Sequence, residues 1–446
     1  MTATMPKPSD SPAPQEPAAA GPAKRQSTAK TLLGVGSGNA MEWFDWGIYA
    51  VFAPFFAAQF FHTEDAASSL LKTLAVFAVG FVARPFGGIF FGWLSDRLGR
   101  KSAMSWTVAL GAGGSLLIGL TPNYATIGVA ASVLLVIARL AQGLAHGGEL
   151  PAAQTYIAEE APRERRGLWS SIIYVSGTVG QLAALVLAGI LASSLSDDAM
   201  HSWGWRIAFV LGGVFGFYSL YMRTRLEESE IFEGHKAARG STDAPKRSVF
   251  DGVRRHPKLL LQICGMVLGM TVLYYAWAVS APAYAIAVIK VPKADALWAG
   301  AGAQLVFLAL CPLWGRLSDR VGRKPVMISA AVAIVALTFP LNAMLTPSAW
   351  SLFAAMSLAM VPLSALASVT VAVYAEIFPT NIRTLGLALP YALCVAAFGG
   401  TAPYLQTYFG SLGRPEVFLG YAMALGVVSI ITMCTVPETR AKDLTA

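Results

Sequence analysis

Gly92-Trp93-Leu94-Ser95-Asp96-Arg97-Leu98-Gly99-Arg100-Lys101 lies between two long apolar runs, and the chain carries this pattern twice. The second copy, Gly315-Arg316-Leu317-Ser318-Asp319-Arg320-Val321-Gly322-Arg323-Lys324, begins 223 residues later, half the length of the 446-residue chain. The molecule therefore reads as two related halves. A short polar stretch between apolar runs cannot lie in lipid, where its backbone N–H and C=O groups would lack partners. Glycine permits a tight turn there, and Arg and Lys hold such a loop on the cytoplasmic side of a membrane. A second echo supports the repeat: Ala158-Glu159, Pro162 and Arg166 recur as Ala375-Glu376, Pro379 and Arg383, each 217 residues on.

The composition agrees with this reading. The chain is 55% hydrophobic and 13% charged, with a mean hydropathy of +0.56. Soluble domains carry about twice that share of charge. Apolar runs of roughly 20 residues recur, each long enough to cross a bilayer as a helix. The expected fold is an all-α polytopic membrane protein of twelve transmembrane helices in two six-helix halves. The first six spans fall near 32–61, 70–93, 103–120, 125–156, 168–195 and 205–222. The second six fall near 259–289, 295–314, 325–345, 349–378, 384–409 and 416–436. The divisions are a tail over 1–30, a half over 31–222, a linker over 223–258, a half over 259–437 and a tail over 438–446.

The net charge of +8 does not point to nucleic acid. Lys and Arg gather in the tails, the linker and alternate short loops, which places those segments and both termini inside the cell. The first tail is rich in Pro and Ala, and reads as disordered and cytoplasmic. No cleavable leader is expected, because no short apolar region with a cleavage site precedes the first span. Cys264, Cys311, Cys394 and Cys434 lack C-x-x-C spacing and read as packing residues. His146-Gly147-Gly148-Glu149 lacks the H-E-x-x-H pattern, so no metal and no cofactor is expected.

Charged groups inside membrane spans are costly and point to function by default. Span one carries Asn39, Glu42, Trp46 and Tyr49 at helical spacing, with Asp45 at the margin. Span two carries Arg84. Span four carries Arg139, Gln142, His146 and Glu149 at 0, +3, +7 and +10, one polar stripe. Such stripes must face protein or a water-filled cavity. Structural ion pairing, for example Glu42 with Arg84, is the competing reading. The second half supplies aromatics instead, and Tyr274 and Trp277 are the candidates for the cavity's other wall.

Guanidinium forks match carboxylates, so Arg84 and Arg139, with Asn39, Gln142, Tyr274 and Trp277, are expected to bind an organic anion. Two arginines suit a dicarboxylate or keto acid better than a zwitterion. Glu42, Asp45, His146 and Glu149 are the candidates for carrying a proton, with Glu42 favoured for its place on the Asn39–Tyr49 face. Asp96, Arg97, Arg100, Arg166, Asp319, Arg320 and Arg323 are the expected gate. In it Asp96 would meet a helix N-terminus and Arg165 or Arg166.

The repeated motif resembles the signature loop of the major facilitator superfamily. Within it, Gly38-Asn39-Ala40-Met41-Glu42-Trp43-Phe44-Asp45, Arg84-Pro85-Phe86-Gly87-Gly88 and Arg139-Leu140-Ala141-Gln142-Gly143 resemble the metabolite:proton symporter branch. Trp203-Gly204-Trp205-Arg206 and Phe398-Gly399-Gly400 match it as well. The resemblance implies a transporter in the cytoplasmic membrane of a bacterium, taking up a small polar metabolite with protons. Members carry α-ketoglutarate, citrate and related acids, shikimate, or betaine and proline. Gly180-Gln181-Leu182-Ala183-Ala184-Leu185 looks most like the α-ketoglutarate carriers. Leu150-Pro151 departs from the aromatic that often follows Glu149. Osmosensing betaine carriers have a long C-terminal coiled coil, so the end soon after Arg440 disfavours that role. The span-five motif of drug antiporters is absent, which favours symport. A membrane sensor or scaffold would need a signalling domain, and an enzyme would need a catalytic constellation. The sequence offers neither, and a monomer is expected.

Overall fold

The structure, a computed structural model, describes residues 28–62, 66–98, 100–147, 149–224, 256–378 and 383–442. Nearly all of the expected first tail, most of the 223–258 linker and the last four residues lie outside the described residues. Among the described residues all regular structure is helical. An apolar segment in lipid must satisfy its own backbone, and the helix does so within one chain segment.

The first half comprises α1 (Thr28–Phe60), α2 (Ala66–Leu98), α3 (Arg100–Leu120), α4 (Val129–His146), α5 (Glu149–Glu160), α6 (Arg166–Ser194) and α7 (Trp205–Thr224). The second comprises α8 (Pro257–Tyr274), α9 (Lys293–Val321), α10 (Arg323–Ala343), α11 (Ala349–Ile377), α12 (Arg383–Cys394), α13 (Ala402–Ser411) and α14 (Pro415–Thr435). Nine helices among the described residues are long and apolar enough to cross a membrane. With α1, α3 and α7 they make twelve crossings, six in each half.

Three spans depart from the even helices expected. In span four the described helix α4 ends at His146, capped by Gly147, and α5 begins at Glu149. Span seven widens into π turns at Tyr275–Val279 and Ala285–Ile289, and another at Val395–Gly399 joins α12 to α13. Each wide turn shifts the helical register.

The second motif copy forms the end of α9, a turn and the start of α10. Gly322 makes that turn at φ +111°, a conformation open to glycine and rarely to other residues. The halves meet along two seams. One is α6 against α9; the other is α2 against α12, the π turn at Val395–Gly399 and α13. Within the first half, α2 and α4 approach to backbone contact. A Cβ on Gly87 would strike the Leu144 carbonyl, one on Gly143 the Gly80 carbonyl, and one on Gly147 the Arg84 carbonyl. Small residues permit such packing in membranes, and here it brings Arg84 beside the Arg139 stripe.

Candidate functional site

Trp46 of α1 is the centre of the site. The Arg84 guanidinium lies 3.9 Å from its ring centroid and the Arg139 guanidinium 4.1 Å. Phe81 also faces Arg84 at 4.2 Å, and Tyr49 faces Arg139 at 4.2 Å. The His146 ring meets Trp46 edge-on at 5.6 Å. Ring faces attract cations, more so where water is excluded, so this aromatic box holds two like charges near each other.

Arg139 is fully buried and joined to a carboxylate through an amide. Its Nη1 donates to Gln142 Oε1 at 2.8 Å. Gln142 Nε2 donates to Asp45 Oδ2 at 2.7 Å and to Ser115 Oγ at 2.8 Å. The Ser115 hydroxyl donates to the other Asp45 oxygen. Cation, amide and carboxylate thus form one chain from α4 to α1, with α3 supplying the serine. Five buried nitrogens beside it have no hydrogen-bond partner among the described residues: Trp46 Nε1, Arg84 Nε, Arg139 Nε and Nη2, and His146 Nε2. A buried unsatisfied polar group costs about 1–3 kcal/mol, and more when charged.

The polar face expected on α1 divides. Asn39 turns to α6, donating to the Ile173 carbonyl at 2.6 Å and to Ser176 Oγ at 2.9 Å, so it ties two helices together. The Tyr49 hydroxyl donates to the Thr73 carbonyl at 3.0 Å. Glu42, Asp45 and His146 line a cleft of about 560 Å³ between α1, α3, α4 and α7. Glu149 opens α5, but its side chain lies outside the described residues, as do those of Asp96, Arg97 and Arg100.

A second cavity, of about 630 Å³, lies between the halves. Its walls carry Trp43 and five tyrosines, Tyr174, Tyr274, Tyr275, Tyr374 and Tyr391, together with four methionines. Arg84 approaches it through Phe81, which it faces at 4.2 Å and whose ring meets that of Tyr275 edge-on at 5.2 Å. Trp277 does not join Tyr274 there. The π turn beginning at Tyr275 rotates it into a separate cavity of about 390 Å³ inside the second half, beside Gln406 and Asn342.

The motif residues meet at one end of the α6–α9 seam. Asp319 accepts from the backbone N–H groups of Gly167 at 2.8 Å and Leu168 at 3.0 Å, in the first turn of α6. A helix N-terminus carries partial positive charge and favours a carboxylate there. Arg323 donates to Asp319 at 2.6 Å. Glu376 lies 2.9 Å from Arg166 and 3.5 Å from Arg323, fully buried. Arg320 is exposed. The chain after α14 closes over this cluster. Thr439 donates to Glu376, Glu438 accepts from the N–H groups of Arg323 and Lys324, and Arg163 donates to the Ala441 carbonyl. Burial alone would raise the Glu438 carboxyl. The backbone N–H groups of Arg323, Lys324, Arg440 and Thr439 outweigh it and hold the group below its usual range.

No motif or spacing in the sequence marks Ser115, Tyr174, Tyr374, Glu438 or Thr439. The serine and threonine are indistinguishable there from packing residues. The 217-residue echo was the available signal for Glu376.

Two six-helix halves enclosing charged and aromatic cavities, closed at one end by a polar cluster, define a multi-pass membrane transporter. The sequence profile of the Major Facilitator Superfamily matches residues 35–292 and 266–445, and the chain belongs to that superfamily. It is 33% identical over 402 residues to the alpha-ketoglutarate permease of Escherichia coli strain K12, covering 90% of this chain and 91% of that one. It is 31% identical over 425 residues to the proline/betaine transporter of Salmonella typhimurium strain LT2, covering 93% and 84%. The crystal structure of a D-xylose-proton symporter superposes with a TM-score of 0.70 at 20% identity, over 94% of this chain and all of that one; this likeness speaks to the fold.

Proposed function

We propose that the protein is a proton-coupled symporter that takes up a small organic acid across the cytoplasmic membrane of a bacterium, with both termini inside. The observation that carries this reading is the set of unpartnered buried nitrogens around Trp46, next to the Arg139–Gln142–Asp45 chain. A carboxylate arriving at Arg84 would supply the missing acceptors. The relatives named for alpha-ketoglutarate and for proline and betaine all handle molecules that bear a carboxylate.

Entry of an anion against an inside-negative potential needs accompanying positive charge, since one charge costs about 2.3 kcal/mol per 100 mV. Asp45 is the proposed proton carrier, in place of Glu42, because Asp45 is the carboxylate joined to Arg139. Protonation of Asp45 releases the hold on Gln142 and Arg139, and that release strengthens the pull of the two guanidiniums on an incoming anion. Proton and substrate then favour each other's binding, as linkage requires.

The test is uptake into liposomes holding the purified protein. An inward proton gradient should drive a labelled carboxylate above equilibrium, and an uncoupler should abolish the excess. Equilibration alone would refute symport. The orientation is tested separately: a cysteine placed in the 223–258 linker of a variant lacking the native cysteines should resist impermeant thiol reagents in intact cells.

A further inference from the structure

The site has one polar pole. The unpartnered nitrogens belong to Trp46, Arg84, Arg139 and His146, all in the first half. The tyrosine-lined cavity that Arg84 approaches is different in kind. Its described lining residues include no acidic or basic side chain, and none of them carries a buried unpartnered polar atom. Ring faces, four methionines and aliphatic side chains make up most of its wall.

We propose that the substrate is a monocarboxylate with an aromatic or otherwise apolar body, its carboxylate on Arg84 and its body in the chamber of Tyr274, Tyr275, Tyr374 and Tyr391. This rests on the reading of Arg84 as the anchor of an organic anion. A dicarboxylate would bring a second charge into a wall with no cation among its described residues, where only neutral hydroxyl and indole donors could meet it, at the cost of desolvation. A quaternary ammonium would find ring faces, but its positive charge would sit near Arg84, which lies one ring, Phe81, away from Tyr275. A neutral ring meets neither penalty. Tyrosine and methionine give a ring edge-on and sulfur contacts of the kind that hold aromatic groups.

The experiment measures binding of 3-phenylpropanoate, succinate and glycine betaine to the full-length protein by tryptophan fluorescence, with accumulation of succinate measured in liposomes alongside. Burying a phenyl ring predicts that 3-phenylpropanoate binds at least about tenfold tighter than succinate. Tyr374→Ala should weaken 3-phenylpropanoate by a larger factor than succinate and so remove most of that advantage. The order of affinities in the unaltered protein decides the matter even where this variant does not fold. Succinate binding tighter, with proton-driven accumulation intact, overturns the aromatic body and leaves the symport reading standing. Glycine betaine binding tightest, or no saturable binding of either carboxylate, overturns both. Equal loss of both acids in Tyr374→Ala shows a structural role for the tyrosine and counts against the chamber.

Discussion

The two ends of the α6–α9 seam are closed by different chemistry. At the motif end, Asp319, Arg323, Arg166 and Glu376 form a buried cluster, with the segment after α14 laid across it. At the opposite end, Lys293 meets Asp197 at 2.8 Å in solvent, and Lys293 Nζ lies 3.1 Å from His201 Nε2. His201 Nδ1 faces the Phe55 carbonyl at 2.9 Å, which places its proton on Nδ1 and leaves Nε2 to accept from the lysine. Buried charges depend on their partners, whereas exposed pairs contribute about 0–1 kcal/mol and fade with salt. The motif end is therefore the end whose opening must be driven, and the opposite end is held lightly.

Substitutions sharpen this contrast in graded steps. The largest effect is expected from Glu376→Ala, which leaves Arg166 and Arg323 buried without their shared carboxylate. Breaking one partner of a buried pair costs about 3–5 kcal/mol. A cysteine at Ser318 in a variant lacking the native cysteines should then change from protected to freely labelled. Asp319→Asn keeps the shape but removes the charge from the α6 N-terminus, worth up to about 2 kcal/mol when partly buried. The same labelling should rise by an intermediate amount.

Glu438→Gln comes next, since it weakens a cap worth about 0.5–2 kcal/mol on α10. Its carboxyl is held below the usual 4.5, so the cap is fully present above that value and lost as pH falls through the lower, folded value. Labelling of the Ser318 cysteine should thus be flat near neutrality and rise only in acid. Lys293→Ala should do least, changing transport less than about fivefold and vanishing in high salt. Lys293 holds Asp197 below its usual 3.8, so this pair persists above that pH and separates only in stronger acid. A large effect of Lys293→Ala at neutral pH beside a small one for Glu376→Ala would reverse the comparison.

The repeat also shows where sequence reading stops. The motif copies and apolar runs announced twelve crossings, and the spacing of Arg139, Gln142 and His146 announced a polar stripe on α4. Those signals survive because helical periodicity is fixed by backbone geometry. Ser115 was illegible, because a lone serine in an apolar helix looks the same whether it packs or bonds a carboxylate. Tyr274 and Trp277, three residues apart, would share a face of a regular helix, and the π turn at Tyr275–Val279 separates them. Related positions also need not share surroundings. Glu376 is fully buried, whereas Glu159, its counterpart in the repeat, is exposed. The sequence shows which residues correspond, while tertiary packing decides which half's copy is enclosed.

The central claim is that Asp45 couples the proton to the Arg139 chain. Asp45→Asn is nearly isosteric and keeps an acceptor for Ser115, so it alters charge with little change in packing. The decisive measurement compares two activities of this variant in liposomes: accumulation driven by an imposed proton gradient, and exchange of labelled for unlabelled substrate with no net proton movement. The account predicts that exchange persists while accumulation above equilibrium is lost. Accumulation equal to that of the unaltered protein, with loss of accumulation in Glu42→Gln instead, would contradict it.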